Sequence, residues 1–345
     1  GIVGETEGRR DTPESRQAAY VERLGPVSEI RIGELPVPAP RAGEVLVQVA
    51  AVAVNAVDTF VRSGSYATEV PFPFVVGRDL AGRVAALGGD VDGFRIGDRV
   101  WTNSLGHAGR QGATAEYAVV PVDRLYRIPD GVDEVPLVAT VHAAATAFLA
   151  LHTHARVRPG ETALVAGAAG NVGRAAVQIA REAGARVIAT ASASDLDDVR
   201  RLGADVALDY RDPAHATLLR EALPHGADMQ LDTSGHHDLD LAVDLLAPRG
   251  RIVVMAGLRA RPELPVGGLY TRDGSILGFA ISSATVAELA DAAELINRML
   301  ADGTLTPPRT EEAPLTAARG AHARLEAGAL HGVKLVLRPA QAPPG

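Results

Sequence analysis

Three glycines, Gly167, Gly170 and Gly173, stand between a short apolar run at 162–166 and a segment with apolar residues at Val172, Ala176, Ile179 and Ala183. That recurrence marks one face of a helix. A second apolar run at 185–190 follows Gly184, so the order is strand, glycine turn, helix, strand. In a βαβ unit of this kind the unpaired N–H groups at the helix start can hold a pyrophosphate, and glycine lets a phosphate approach the backbone. Ala169, Gly170, Asn171, Val172 and Gly173 are the turn residues that would touch such a dinucleotide. The order G-x-x-G-x-x-G departs from the usual G-x-G-x-x-G, and a plain strand-to-helix turn is the alternative.

The end of the second strand bears on which dinucleotide binds. An NAD site places Asp or Glu there for the ribose 2′-hydroxyl. Here Thr190, Ala191, Ser192, Ala193 and Ser194 are uncharged, so a 2′-phosphate is not repelled. Asp195, Asp197 and Asp198 come next, and the first basic residues are Arg200 and Arg201. NADP(H) is favoured, and NAD(H) is not excluded.

A chain of 345 residues suits two domains. A formal charge of −8 offers no basic surface to nucleic acid, and no uninterrupted apolar span is expected to cross a membrane. The chain has no cysteine, so neither a disulfide framework nor a thiolate metal site is available. Residues 1–16 are polar and aperiodic, read as a loose leader without the plan of a secretory signal, which makes a soluble, cytoplasmic protein the expectation. Strand-like runs follow at 19–24, 29–35 and 44–54, the start of an irregular β domain reaching about residue 130.

Within that domain the polar segment 55–66 follows an apolar strand; it is either a helix start or a loop presenting Asn55, Asp58, Arg62 and Tyr66 to a ligand. Asp58 and Arg62 are expected to pair and hold it. His152 and His154 close an apolar helix at 138–151 and are expected to be solvated. His236 follows a strand at 229–232, the ligand-facing end of a parallel sheet, which suits a cofactor contact.

The segments NAVDTFVRSGSY, PFVVGRDLAG, GDRV, AEYAVV, TAFLAL, GAAGNVG and ILGFAISS, in this order over about residues 20–339, resemble the quinone oxidoreductase (zeta-crystallin-like) branch of the medium-chain dehydrogenase/reductases. The resemblance implies an α/β protein with a GroES-like irregular β catalytic domain (17–140 and 284–339) and a Rossmann doubly wound parallel-sheet cofactor domain (141–283). Zinc-dependent relatives need a cysteine ligand and Gly-His-Glu where this chain has Gly77-Arg78-Asp79, so no metal site is expected. Hydride transfer to a conjugated acceptor, a quinone or another α,β-unsaturated carbonyl, then needs only positioning and oxyanion stabilisation.

By the same resemblance, Asn55 and Tyr66 line the pocket beside the nicotinamide, with Tyr66 the first choice of proton donor. Phe60 stands where relatives carry tyrosine, Thr146 resembles a nicotinamide-side threonine, and Ser192 and Tyr210 lie near the adenosine phosphate. Relatives specific for NADP carry lysine where this chain has Asp195. Gly257 and Leu258, with Phe279, Ala280 and Ile281, are expected to close over the nicotinamide. Lys334, the single lysine, matches a basic residue near the family's C-terminus that contacts cofactor phosphate, against the alternative of a solvated strand-end lysine. The final strand at 275–283 implies a homodimer. Other readings are an enoyl-thioester reductase of a biosynthetic pathway and a non-catalytic NADPH-binding protein, since members with lens or RNA-binding roles keep the fold.

Overall fold

The computed structural model describes residues 12–340. Two compact units emerge: one runs to His142 and resumes at Pro307, and the other is Ala143–Thr306. The second boundary falls later than the expected 284. The reason is the helix Val286–Asp302, whose buried face of Leu289, Ala292, Ala293, Ile296 and Met299 packs within the second unit. Arg298 pairs there with Glu182 at 2.7 Å, and Gln178 Oε1 accepts the Thr306 N–H at 2.6 Å. Of the expected leader, residues 1–11 lie outside the described residues. Its end is strand, since Ser15–Val21 pairs antiparallel with Arg31–Pro36, and buried Arg16 donates to the Tyr117 carbonyl at 2.6 Å.

In the first unit the alternating strand Glu44–Ala53 is central. It pairs antiparallel with Asp79–Leu87, Tyr117–Pro121 and Val333–Arg338, so the C-terminal segment completes this sheet. Val45, Val47, Val49, Leu80, Val84, Leu335 and Leu337 turn one way into the core. Each aliphatic side chain buried there contributes about 1.5–3 kcal/mol. This is the GroES-like β architecture.

The second unit holds a six-stranded parallel sheet. Its spatial order is Val206–Asp209, Arg186–Ala191, Thr162–Ala166, Ala227–Asp232, Leu246–Val254, Ser275–Gly278. The chain starts in the middle, winds outward to one side, then crosses back to the other. Strand order therefore reverses between Thr162–Ala166 and Ala227–Asp232, where a doubly wound sheet collects its ligand. The last strand is shorter than expected, because Phe279 leaves the sheet to stack on His154, with ring centroids 4.7 Å apart.

The helix Glu134–Phe148 continues as a π-helical turn, Leu149–His154. Together these 21 residues are long and apolar enough to cross a membrane, contrary to the expectation from sequence, but the stretch is mostly buried inside the protein. A helix apolar on every side is what a protein core requires.

Candidate functional site

The glycine turn in the second unit divides its labour. Gly167 adopts φ +75° at the strand end, and a Cβ there would lie 2.5 Å from Thr233 Oγ1. A Cβ on Gly173 would lie 2.2 Å from the Gly167 carbonyl oxygen and 2.7 Å from Ala168 Cα, so only glycine lets the helix Asn171–Glu182 sit this close to the strand. Gly170, the N-cap, differs: its Cβ would meet nothing nearer than the Gly167 oxygen at 3.5 Å. Gly170 and Asn171 are exposed, while Ala169 and Val172 are half-buried. The first N–H groups of a helix have no partner within it. Close packing behind and open space in front make a cradle that fits a pyrophosphate.

Beside the cradle, Ser192 follows the strand Arg186–Ala191, and the Tyr210 N–H donates to the Ala191 carbonyl at 3.2 Å. Arg200 and Arg201, the first cations after the strand, are turned to their own helix: Arg200 bonds Asp197 at 3.0 Å and Arg201 bonds Asp198 at 3.2 Å. Asp198 also pairs with Arg174.

At the same sheet edge, exposed His236 and its neighbour His237 sit in the loop after Ala227–Asp232. His237 Nε2 lies 3.1 Å from the Ala256 carbonyl oxygen. Gly235 and Gly257 abut: a Cβ on Gly257 would lie 2.8 Å from the Gly235 oxygen, and Leu258 beyond it is 81% exposed. His152 and His154 are not solvated as expected. His152 is half-buried against Phe148, with ring centroids 5.0 Å apart, and His154 is covered by Phe279. Ala280 is exposed, Ile281 half-buried and Thr146 buried.

The first unit holds a different kind of site. Segment 55–66 is a helix, Ala56–Ser63, in which the Asp58 carboxylate reaches back to the Asn55 N–H at 2.8 Å in a capping box. Contrary to the expectation from sequence, Asp58 does not pair with Arg62. Arg62 is buried and pairs with Glu326 instead, because the C-terminal helix Ala318–Glu326 packs on this one. Asn55 is buried, its amide Nδ2 donating to Asp79 Oδ2 at 2.7 Å and its Oδ1 accepting from Lys334 Nζ. Lys334 is therefore neither a phosphate contact nor solvated; the strand Val333–Arg338 carries it inward to Asn55. Gly77, at φ +106°, turns the chain so that buried Arg78 and Asp79 enter the same cluster, and His142 Nδ1 lies 3.9 Å from Asp79 Oδ1.

Burial is the largest influence on every ionisable group here. It lifts Asp58 to about 6, against the Asn55 N–H and the Arg78 charge. It lifts Asp79 to about 7, helped by Asp58 and opposed by Asn55, Lys334 and Arg78. It lowers His107 to about 3, carries His142 well below the ordinary histidine range and lowers Lys334. With both histidines neutral, two carboxyl groups and two cations share this interior. Asn55 has spent its carbonyl on Lys334 and one N–H on Asp79. One N–H remains for an acceptor.

Tyr66 is half-buried against the first-unit core; its N–H donates to the Phe60 carbonyl at 3.1 Å, and Phe60 itself is 50% exposed. His107 and His142 escaped the sequence reading. A histidine inside an alanine-rich helix gives no local sign of its distant carboxylate.

A catalytic zinc does not fit this donor set. Arg78 presents a buried guanidinium, which has no acceptor lone pair, where zinc relatives present an imidazole; Asp79 is bonded by Asn55, and the sequence supplies no cysteine.

Residues 41–130 match the alcohol dehydrogenase GroES-like domain and residues 171–298 the zinc-binding dehydrogenase domain. The chain is 32% identical over 305 residues to the quinone oxidoreductase of Mus musculus, covering 87% of this chain and 91% of that one. It is 40% identical over 233 residues, 67% of its length, to erythronolide synthase EryA2 of Saccharopolyspora erythraea, of which the match spans 6%. Its fold superposes with TM-score 0.79 and 30% identity on a mycobacterial protein solved in complex with NADPH, covering 94% of this chain and all of that one. The cradle, the two folds and these likenesses place the chain in the quinone oxidoreductase branch of the medium-chain dehydrogenase/reductases, a family of nicotinamide-dinucleotide-dependent oxidoreductases.

Proposed function

We propose that the protein is a zinc-independent, NADPH-dependent reductase of quinones or other α,β-unsaturated carbonyls. The observation that carries the reading is the buried Arg78 and Lys334 around Asp79 and Asn55, a hydrogen-bonding set in which Lys334 occupies the Asn55 amide oxygen, the Asn55 N–H occupies one Asp79 oxygen and no cysteine is available. Bound reduced nicotinamide supplies a hydride. The turn at Ala169–Gly173 holds the pyrophosphate by backbone N–H groups, with Ser192 and Tyr210 beside the adenosine. Thr146, His236, Gly257, Leu258, Phe279, Ala280 and Ile281 are proposed to border the nicotinamide, and Phe60 is proposed as a further cofactor contact.

A conjugated acceptor suits such a site, because its carbon accepts hydride while its oxygen takes the charge. Asn55 offers its remaining N–H to that oxygen, and the Tyr66 hydroxyl supplies the proton. An unconjugated alcohol or ketone needs stronger polarisation than these groups provide. The purified protein is expected to oxidise NADPH with 9,10-phenanthrenequinone, followed by loss of nicotinamide absorbance, with no stoichiometric zinc by elemental analysis and no inhibition by chelators. Stoichiometric zinc, or no turnover with any quinone or enone, would overturn the reading.

The match to erythronolide synthase favours one alternative, reduction of an enoyl thioester; crotonyl thioesters turned over faster than any quinone would select it. The exposed edge strand Ser275–Gly278 supports a homodimer, which light scattering tests.

A further inference from the structure

The geometry points to Arg211, braced on Tyr210, as the residue that recognises the 2′-phosphate of NADPH. This inference rests on the NADPH half of the proposed function and adds the residue that reads it. In the sheet, Ala191 and Asp209 are register partners, and the Tyr210 N–H bonds the Ala191 carbonyl. Tyr210 and Arg211 thus stand next to Ser192, on the edge that also carries the glycine turn. In a doubly wound fold this is where the adenosine ribose lies.

The other cations of that neighbourhood are already neutralised. Arg174 is paired with Asp198, Arg201 with the same carboxylate, and Arg200 with Asp197 and the Ala207 carbonyl. Asp195, a carboxylate, follows the second strand at the helix N-cap. A ribose 2′-phosphate, close to dianionic at neutral pH and set among these acids, needs a cation of its own.

Arg211 fits that need. Its backbone N–H is held by Asp209 Oδ1 at 2.9 Å, its Nε donates to the Tyr210 hydroxyl at 3.0 Å, and its guanidinium lies 5.3 Å from the centre of the Tyr210 ring. Among the described residues no carboxylate lies within ion-pair distance of its guanidinium; Asp209 is turned to the Arg211 N–H and Asp212 to the Ala214 N–H. Among the described residues, the bracing leaves both terminal nitrogens and the tyrosine O–H directed to no acceptor. Together they form a planar fork and a hydroxyl, a set that matches the oxygens of a phosphate monoester.

The test uses ligands that need no turnover. Binding of 2′,5′-ADP and of 5′-AMP, which differ only in the 2′-phosphate, is measured by calorimetry on the full chain and on Arg211→Gln, Arg211→Lys and Tyr210→Phe. The wild type is expected to bind 2′,5′-ADP at least about tenfold tighter than 5′-AMP. Arg211→Gln should erase that ratio while leaving 5′-AMP affinity within about twofold, and Arg211→Lys should keep part of it. Tyr210→Phe should reduce it less than Arg211→Gln does. No preference in the wild type, a preference untouched by Arg211→Gln, or equal loss of both ligands would overturn the assignment. An Arg211-dependent preference in a protein that reduces no quinone, enone or thioester would instead strike the functional reading alone.

Discussion

The two units treat polar groups in opposite ways. Every buried charged side chain among the described residues belongs to the first unit, where Arg16, Asp58, Arg62, Arg78, Asp79 and Lys334 lie inside the protein. The buried polar side chains of the second unit are uncharged: Thr146, Gln178, Thr190 and Gln230. The second unit presents backbone N–H groups at a helix start, with glycines making room for them. One unit holds charged side chains in fixed directions by buried partners; the other opens a helix start that chain geometry shapes. A buried charge is stable only while its partners stay, whereas a backbone cradle is sensitive chiefly to added atoms.

The largest test of this contrast removes a partner. Lys334→Met leaves two buried carboxyl groups facing one guanidinium and is expected to cost about 3–5 kcal/mol in urea unfolding. Adding Asp79→Asn should recover a substantial part, since charge balance is restored. A single-variant loss under about 1 kcal/mol would show that the interior does not depend on that balance.

In the second unit, Gly173→Ala forces a methyl against the Gly167 carbonyl and should cost about 1–3 kcal/mol with loss of NADPH binding, read by thermal unfolding and cofactor fluorescence. A third test exploits pH. His322 is buried, and its pKa is lowered to about 3 from 6.5, by burial first and by Arg62 second. Because the unfolded chain takes up this proton at a higher pH than the folded one, stability present above pH 6.5 is lost as pH falls toward 3. His322→Gln should remove about 2 kcal/mol of acid sensitivity by about pH 5, seen as a shallower fall of Tm with acidification. An unchanged slope would show that His322 does not carry it.

The smallest effect on stability is expected from Gly170→Ala, within about 0.5 kcal/mol, because open space surrounds that position. The same methyl should weaken NADPH binding severalfold by calorimetry. If it costs as much stability as Gly173→Ala, the division of labour among the three glycines is mistaken.

The glycine turn and its flanking strands were legible because they are local: a period of apolar residues and three glycines lie within one short segment. The return of the C-terminal segment to the first unit, realised by Val333–Arg338, was legible through the family resemblance. The domain boundary was less so, because the helix Val286–Asp302 has an apolar face that either unit could cover. The Asn55 cluster could not be seen as a cluster. Asp79 lies 24 residues from Asn55 and Lys334 lies 279, and no periodicity links such positions. For Lys334 the resemblance implies a phosphate contact and its strand-end place a solvated lysine; neither shows that it is carried inward to Asn55.

By itself the sequence determined the architecture, the absence of thiol chemistry and the glycine turn between strand and helix, because periodicity, composition and turn glycines are properties of the chain. Tertiary structure alone decided which charges leave water, which arginines are already neutralised and that Asn55 has given its carbonyl to Lys334 and one N–H to Asp79. Burial and ion pairing depend on partners from distant segments, and those partners meet only when the sheets close.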